Sequence, residues 1–288
     1  MKAASTTPNR PERVSFKRPL GHRGLETLAA HYVRQTFRPH SHPEYLVGVI
    51  TGGMHSVWCR GEQLHVPPGT VMSMRPGDIH HGNAAVEAGW VQRMFYVAED
   101  TMAEILGDRR DTSVAPLPDF ASSSRHDWNL ARRLERIHDA VHGSRLMLER
   151  DAALVAFADV VAGLAGGTSD DGPRAVTTDH RARRLIDYLH AQVAKDVSLD
   201  ELSSLVGLRR RQTIDLFKRA TGLPPHAFHI NLKVRLVQDC LLKGQSLAAA
   251  AIEAGFADQS HMTRHFTAIT GLTPATYARP EQARTFVL

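Results

Sequence analysis

The feature that most constrains this chain is a repeat in its last third. Ser198-Leu199 recurs as Ser246-Leu247, Gly207 as Gly255, Phe217 as Phe266, and Thr221-Gly222-Leu223 ahead of Pro225 as Thr270-Gly271-Leu272 ahead of Pro274. The offset is 48 residues at the start and 49 from the phenylalanine onward, so one residue is added in the turn after the glycine. Each copy offers a serine to cap a helix, a short helix-forming run, a Gly-centred turn and a second helix ending near the phenylalanine. Ser198-Leu199-Asp200-Glu201 also meets the capping-box pattern. Helix, tight turn, helix is the helix-turn-helix unit. A plain helical bundle is the competing reading, and the matched landmarks argue against it.

Charge singles out the same region. Residues 1–178 carry 20 basic and 20 acidic side chains and residues 179–288 carry 15 and 10, so the whole net charge of +5 lies in the last 110 residues. A basic C-terminal part beside a neutral N-terminal one points to a polyanionic partner for one domain.

The 288 residues suffice for two domains, and 42% hydrophobic with 23% charged residues is ordinary globular composition. The longest uncharged stretches fall far short of a membrane span. Residues 1–19 have no apolar core of a secretory signal, so the expectation is a cytoplasmic protein. Cys59 and Cys240 stand 181 positions apart, which reads as two reduced thiols.

Between residues 25 and 97 the pattern is β-rich: runs at 29–37, 45–50, 54–59, 69–74 and 91–97 are separated by turns such as Thr51-Gly52-Gly53, Arg60-Gly61 and Pro76-Gly77-Asp78. Short strands at regular spacing predict an antiparallel sandwich or small barrel. The period then changes. Leu130, Leu134, Ile137 and Val141 share one helical face, and Leu154, Phe157, Val161 and Leu164 another, predicting helices over 128–141 and 146–164. They seal the barrel, form a dimer seam, or do both. Gly166-Gly167-Thr168-Ser169-Asp170-Asp171-Gly172-Pro173 reads as an interdomain linker.

The run from Gly255-Phe256-Ala257-Asp258-Gln259-Ser260-His261-Met262-Thr263-Arg264-His265-Phe266 to Gly271-Leu272-Thr273-Pro274-Ala275-Thr276-Tyr277 resembles the signature of the AraC/XylS family of transcription regulators. The resemblance covers residues 179–280. It implies two helix-turn-helix units joined by a rigid linker helix over 225–243, each placing a recognition helix in the major groove about one DNA turn, ~34 Å, from the other. It also implies a homodimer, a small-molecule effector and double-stranded promoter DNA, with RNA polymerase as a further partner.

In the second unit Asp258 is positioned as a helix N-cap, with Gln259, Ser260 and Arg264 on one face as base readers. In the first, Arg209, Arg210 and Arg211 oppose the helix dipole, which points to an anion at that end and so to phosphate or base contact. Two positions depart from the family pattern: Thr213 stands where a large apolar residue is usual, and Asp215 where a basic one is common.

In the N-terminal part, His40-Ser41-His42-Pro43-Glu44 and, later, Arg75-Pro76-Gly77-Asp78-Ile79-His80 resemble the two-motif layout of a cupin barrel, of the arabinose-binding type found in this regulator family. His40 and His42 alternate along a strand and so share a face, and the strand after Pro76-Gly77 brings His80 towards them. The expected ligand set is His40, His42, Glu44, Tyr45, His80 and Arg93, with Trp90 a further candidate; Arg93 suits a carboxylate or phosphate. His40, His42, Glu44 and His80 are also a donor set for a metal, but the preferred reading is a metal-free pocket and no cofactor.

The expected fold is thus multidomain α+β: a cupin barrel over 15–110, two helices over 125–166, a linker over 167–178 and an all-α double helix-turn-helix over 179–280. The expected function is an effector-responsive, sequence-specific DNA-binding regulator without enzymatic activity. The rival is a cupin metalloenzyme, of dioxygenase or isomerase type, with an appended DNA-binding module.

Overall fold

The computed structural model describes residues 12–19, 21–110, 117–165, 179–279 and 286–287. The linker expected at 167–178 lies outside the described residues. The N-terminal part forms strands β1 (Arg13–Lys17), β2 (Leu25–Tyr32), β3 (Thr36–His40), β4 (Tyr45–Gly53), β5 (His55–Cys59), β6 (Glu62–Val66), β7 (Thr70–Met74), β8 (His80–Ala84) and β9 (Trp90–Val97). Helix α1 (Glu99–Arg110), strand β10 (Ser124–His126), and helices α2 (Trp128–Gly143) and α3 (Met147–Ala165) follow. Two antiparallel sheets face each other. One is ordered β10-β7-β4-β9-β2-β1 with the short C-terminal β11 (Phe286–Val287) at its edge, and the other β3-β8-β5-β6.

The larger sheet is covered on both faces, which is why β4 reads as an unbroken apolar run. One parity of its strands, with Leu46, Ile50, Met72, Trp90 and Met94, fills the barrel interior. The other, with Tyr45, Val47, Val49, Val71, Phe95 and Val97, packs against Phe157, Leu134 and Met102 of the helices. Side chains alternate along a strand, so each strand serves two cores.

The single run expected over 29–37 divides at Val33–Gln35. There one carboxylate oxygen of Glu12 accepts the backbone N–H groups of Val33 (2.6 Å), Arg34 and Gln35 (2.9 Å). Three amides turned onto one anion cannot stay in a ladder, so β2 and β3 separate and enter different sheets. Helix α1 and strands β1, β6, β10 and β11 lie beyond the elements anticipated from periodicity.

The C-terminal part is helical: α4 (His180–Ala191), α5 (Leu199–Val206), α6 (Arg210–Thr221), α7 (Pro225–Leu242), α8 (Leu247–Glu253), α9 (Gln259–Thr270) and α10 (Pro274–Ala278). The units α5/α6 and α8/α9 flank α7. Ser198 and Ser246 cap their helices through the N–H groups of Glu201 and Ala249, and the Ser198 box is complete. Helix α6 begins three residues after Gly207 and α9 four after Gly255, which accounts for the change of offset. Thr213 is fully buried at the position of Met262 and returns its hydroxyl to the Arg209 carbonyl (3.2 Å). The free thiols of Cys59 and Cys240 are buried.

Candidate sensing cavity and nucleic-acid interface

Antiparallel pairing of β3 and β8 sets His40 directly opposite His80. His42, just past the end of β3, turns into the same space: ring centroids are 4.3 Å apart for His40–His80, 4.8 Å for His40–His42 and 5.1 Å for His42–His80. The three imidazoles line a cavity of about 40 Å³ with His55, Gln92 and Tyr96, among apolar side chains from both sheets. Carbonyls only accept, so the contacts of Nδ1 with the Arg38 carbonyl in His40 (2.7 Å) and the Asp78 carbonyl in His80 (3.0 Å) place a proton on each Nδ1. Each Nε2 therefore carries its lone pair, and that of His40 faces His42 Nε2 at 3.2 Å. Burial lowers the pKa of all three histidines, and neighbouring imidazoles lower those of His40 and His42 further, so the set is neutral.

His55 stacks on Trp90 at 4.5 Å, and both its ring nitrogens are buried without a hydrogen-bond partner. Burial pushes its pKa down to about 3. His55 was missed by sequence reasoning; its even-parity register opposite Ala84 of β8 is the signal that places it on the His80 side.

Three expected ligand residues lie elsewhere. Tyr45 points to the helix side of β4 and packs edge-on against Phe120. Arg93 leaves the outer face of β9 to pair with Asp139 (2.7 Å) and Glu135 (3.8 Å) of α2, and its neighbours Gln92 and Met94 line the cavity instead. Glu44 belongs to a separate cleft between the barrel and the helical part, with Glu26, Arg235 and Asp239. Burial, then the charge of Glu26, raises its pKa to about 7. Trp90 sits behind the cavity, its indole N–H donated to Gln92 Oε1 (2.8 Å).

The DNA-binding part closes the cavity. Ile269 and Thr270, at the end of α9, form part of its lining. Gly271 takes a left-handed conformation (φ 70°), and a Cβ there would lie 2.7 Å from both the Tyr32 hydroxyl and the Phe37 ring. Gly222, which ends α6, rests in the same conformation (φ 74°) against Ile79, the neighbour of His80. Between them, α7 grips the histidine segment: Asn231 Nδ2 donates to the Pro39 carbonyl (3.3 Å) and Arg235 Nη2 to the carbonyl (3.0 Å) and hydroxyl (3.1 Å) of Ser41. His40 and His42 therefore alternate with two carbonyls held by the linker helix.

On the other side of the helical part, Gln259, Ser260 and Arg264 are exposed on one face of α9, and Asp258 accepts the His261 N–H (2.6 Å) as its N-cap. The arginines at the start of α6 are not equivalent. Arg210 makes a two-point ion pair with Asp200 of α5, so the anion facing this arginine belongs to the protein. Arg209 is exposed, and Arg211 is nearly fully so, 3.9 Å from Asp215.

A cupin-like barrel invites a test for a metal. The Nε2 atoms of His40 and His42 are 3.2 Å apart, and the donor atoms of His40, His42 and His80 lie within 4.8 Å of one another. Two imidazoles on one tetrahedral ion at ~2.05 Å sit about 3.3 Å apart. The His40–His42 pair already has this spacing, the 4.8 Å limit for the whole set leaves a shift of about 1.5 Å at most to bring the donors onto such an ion, and Glu44 is not part of the set.

A ligand-sensing barrel docked on a double helix-turn-helix is the architecture of a one-component transcription regulator. Residues 22–158 match the family model of the AraC-like ligand binding domain and residues 202–280 that of a helix-turn-helix domain. The chain belongs to the AraC family of transcription regulators. It is 22% identical to the HTH-type transcriptional regulator YbfI of Bacillus subtilis over 243 residues, 84% of this chain and 86% of that protein. It is 32% identical to the probable transcriptional regulator LumQ of Photobacterium leiognathi over 95 residues, 32% of this chain and 38% of LumQ. Its fold matches a crystal structure of ToxT from Vibrio cholerae with a TM-score of 0.51 at 8% identity, covering 94% of this chain and 97% of ToxT. The protein is thus an effector-responsive transcription regulator. Among the described residues no helix is long and apolar enough to cross a membrane.

Proposed function

We propose that the barrel cavity is the sensing site, and that its occupancy changes how the two recognition helices are presented to promoter DNA. The observation that carries this reading is the shared mouth of the barrel: α6 and α9 both end on it, and α7 holds the segment that bears His40 and His42. An occupant that prefers one arrangement of these parts shifts the equilibrium towards it.

In this reading Gln259, Ser260 and Arg264 read bases, Arg209 and Arg211 contact phosphates, and Arg210 fixes α6 to α5. His40, His42 and His80 hold the occupant, while Glu44 faces the adjoining cleft. The protein acts in the cytoplasm as a homodimer. Exposed Leu146, just before α3, with Met147, Leu148 and Val155 on it, forms the surface that suits a second copy, and RNA polymerase is the further partner. The relatives are regulators, and no catalytic step is assigned.

The test starts from duplexes selected by the full chain from a random pool, whose affinity is measured against a panel of small metabolites and metal ions. His40→Gln with His42→Gln should keep salt-dependent duplex binding and lose the response. An unchanged response would remove the cavity from the sensing role.

A further inference from the structure

We propose that His40, His42 and His80 bind one transition-metal ion of the Zn²⁺, Co²⁺ or Ni²⁺ class, and that Asn231 and Arg235 of α7 transmit its presence to the DNA-binding part. This rests on the cavity being the sensing site, and it names the occupant.

Three observations select an ion over a metabolite. The cavity, about 40 Å³ where one water needs roughly 10–15 Å³ on the same measure, has room for an ion with a few waters and falls far below the ~300–1,000 Å³ of an ordinary metabolite pocket. Its polar wall is dominated by neutral imidazole, a donor suited to zinc, copper, iron and nickel. The backbone carbonyls of Arg38 and Asp78 fix the tautomers of His40 and His80 so that both lone pairs enter the cavity, the supporting contact that metal-bound histidines usually show. Without metal, His42 Nε2–H donates to His40 Nε2 across the 3.2 Å separation. With metal, His42 changes tautomer, its proton passing from Nε2 to Nδ1 by exchange with solvent, and the Nε2 lone pairs of both residues turn to the ion. The unpartnered His55 nitrogens, Gln92 and Tyr96 surround the remaining side, where a bound water would sit.

Transmission follows from sequence adjacency. The two carbonyls gripped by α7 belong to Pro39 and Ser41, the residues preceding His40 and His42. Drawing these imidazoles onto an ion moves their backbone against Asn231 and Arg235. Thr270 and Ile269 complete the enclosure, so the end of α9 is displaced or fixed by the same event.

The experiment is a Co²⁺ titration of the full chain, followed by visible absorption. One Co²⁺ per chain is expected, with intense ligand-field bands, and affinity about 100-fold weaker in His42→Gln and in His80→Asn. Each variant is first shown to melt cooperatively, and either one that does so decides the matter. The half-buried pair His261 and His265 on α9, with Nε2 atoms 3.0 Å apart, is the competing donor set. Retention of Co²⁺ in His42→Gln together with its loss in His261→Gln overturns the site, as does absence of binding to the folded parent. For transmission, Zn²⁺ should shift the affinity for the selected duplex by about tenfold, and Arg235→Ala should bind Co²⁺ yet lose the shift. An equal shift in Arg235→Ala and Asn231→Ala overturns the route. If no metal binds while another small molecule still alters duplex affinity through His40, the metal inference fails and the sensing reading stands. If nothing alters it, both fall.

Discussion

The two helix-turn-helix units share a frame and differ in chemistry. Helices α6 and α9 are both 12 residues long and end on a left-handed glycine. Just inside that end, Thr221 and Thr270 donate to the carbonyls of Phe217 (2.9 Å) and Phe266 (2.8 Å) and accept the N–H of Leu223 (3.2 Å) and Leu272 (3.1 Å). The other ends diverge. Helix α9 has an aspartate cap and presents Gln259, Ser260 and Arg264, whereas α6 has no side-chain cap and presents arginines with Asp215. The ends that meet the barrel are alike in the two copies, and the ends proposed to face DNA are not. Docking therefore imposes one solution twice, while recognition leaves each unit free to vary.

The cores under the two helices should respond most unequally. Met262 is fully buried, and Met262→Ala should cost about 2–5 kcal/mol through lost contacts and a residual cavity. Thr213 fills the matching place in the first unit with a smaller side chain and its own hydrogen bond, so Thr213→Ala should cost less, about 1 kcal/mol. Urea denaturation of the full chain measures both, and equal losses would show that the two cores are not specialised.

Next come the glycines at the barrel mouth. Gly271→Ala adds the left-handed penalty to a clash with two aromatic side chains, for about 2–3 kcal/mol. Gly222→Ala meets only the flexible tip of Ile79, and should cost about 1 kcal/mol. If both changes cost the same, the second unit is not the more tightly seated one.

The repeat made this half of the molecule legible, because Ser caps, glycine turns and buried phenylalanines are each tied to one backbone role. The sensing half was less so, for a reason visible in three residues. Alternation shows which side chains share a face of a strand, but β4 and β9 have apolar layers on both faces, so it does not show which face is the cavity. Tyr45 and Arg93 were assigned to the wrong one. Glu44 follows the His40, His42 parity, but the chain leaves β3 at His40 and enters β4 at Tyr45, and the period is lost in the intervening bend. His40 and His80 could be paired because strand register brings them together across a ladder. The role of Asp200 as partner of Arg210 depends on the crossing of α5 and α6, which no local pattern contains.

Smaller effects separate the DNA-facing ends. Arg264→Ala should weaken binding to the selected duplex by about 1–3 kcal/mol and relax one base position. Asp215→Ala should strengthen binding to all duplexes, because a carboxylate on a helix facing phosphates repels them. Loss of discrimination at one position on changing Asp215 would instead make it a base reader, accepting from cytosine. A repeated selection from a random pool distinguishes the two results.

The finest distinction is among the first unit's arginines. Helix α6 starts without a side-chain cap, so its first N–H groups and the exposed Arg209 and Arg211 form an end suited to a phosphate. Arg211→Ala should then lower affinity uniformly across sequences and reduce the slope of log K against log salt by about one unit. Arg210 has its guanidinium occupied by Asp200, so Arg210→Ala should leave that slope unchanged. The control is Asp200→Asn, which weakens the competing partner. If Arg210 then gains a phosphate, the slope should steepen, and Arg210→Ala in that background should return it to the parental value. A slope that falls by one unit in Arg210→Ala alone would mean that DNA displaces Asp200, and that the ion pair stores a contact for the bound state.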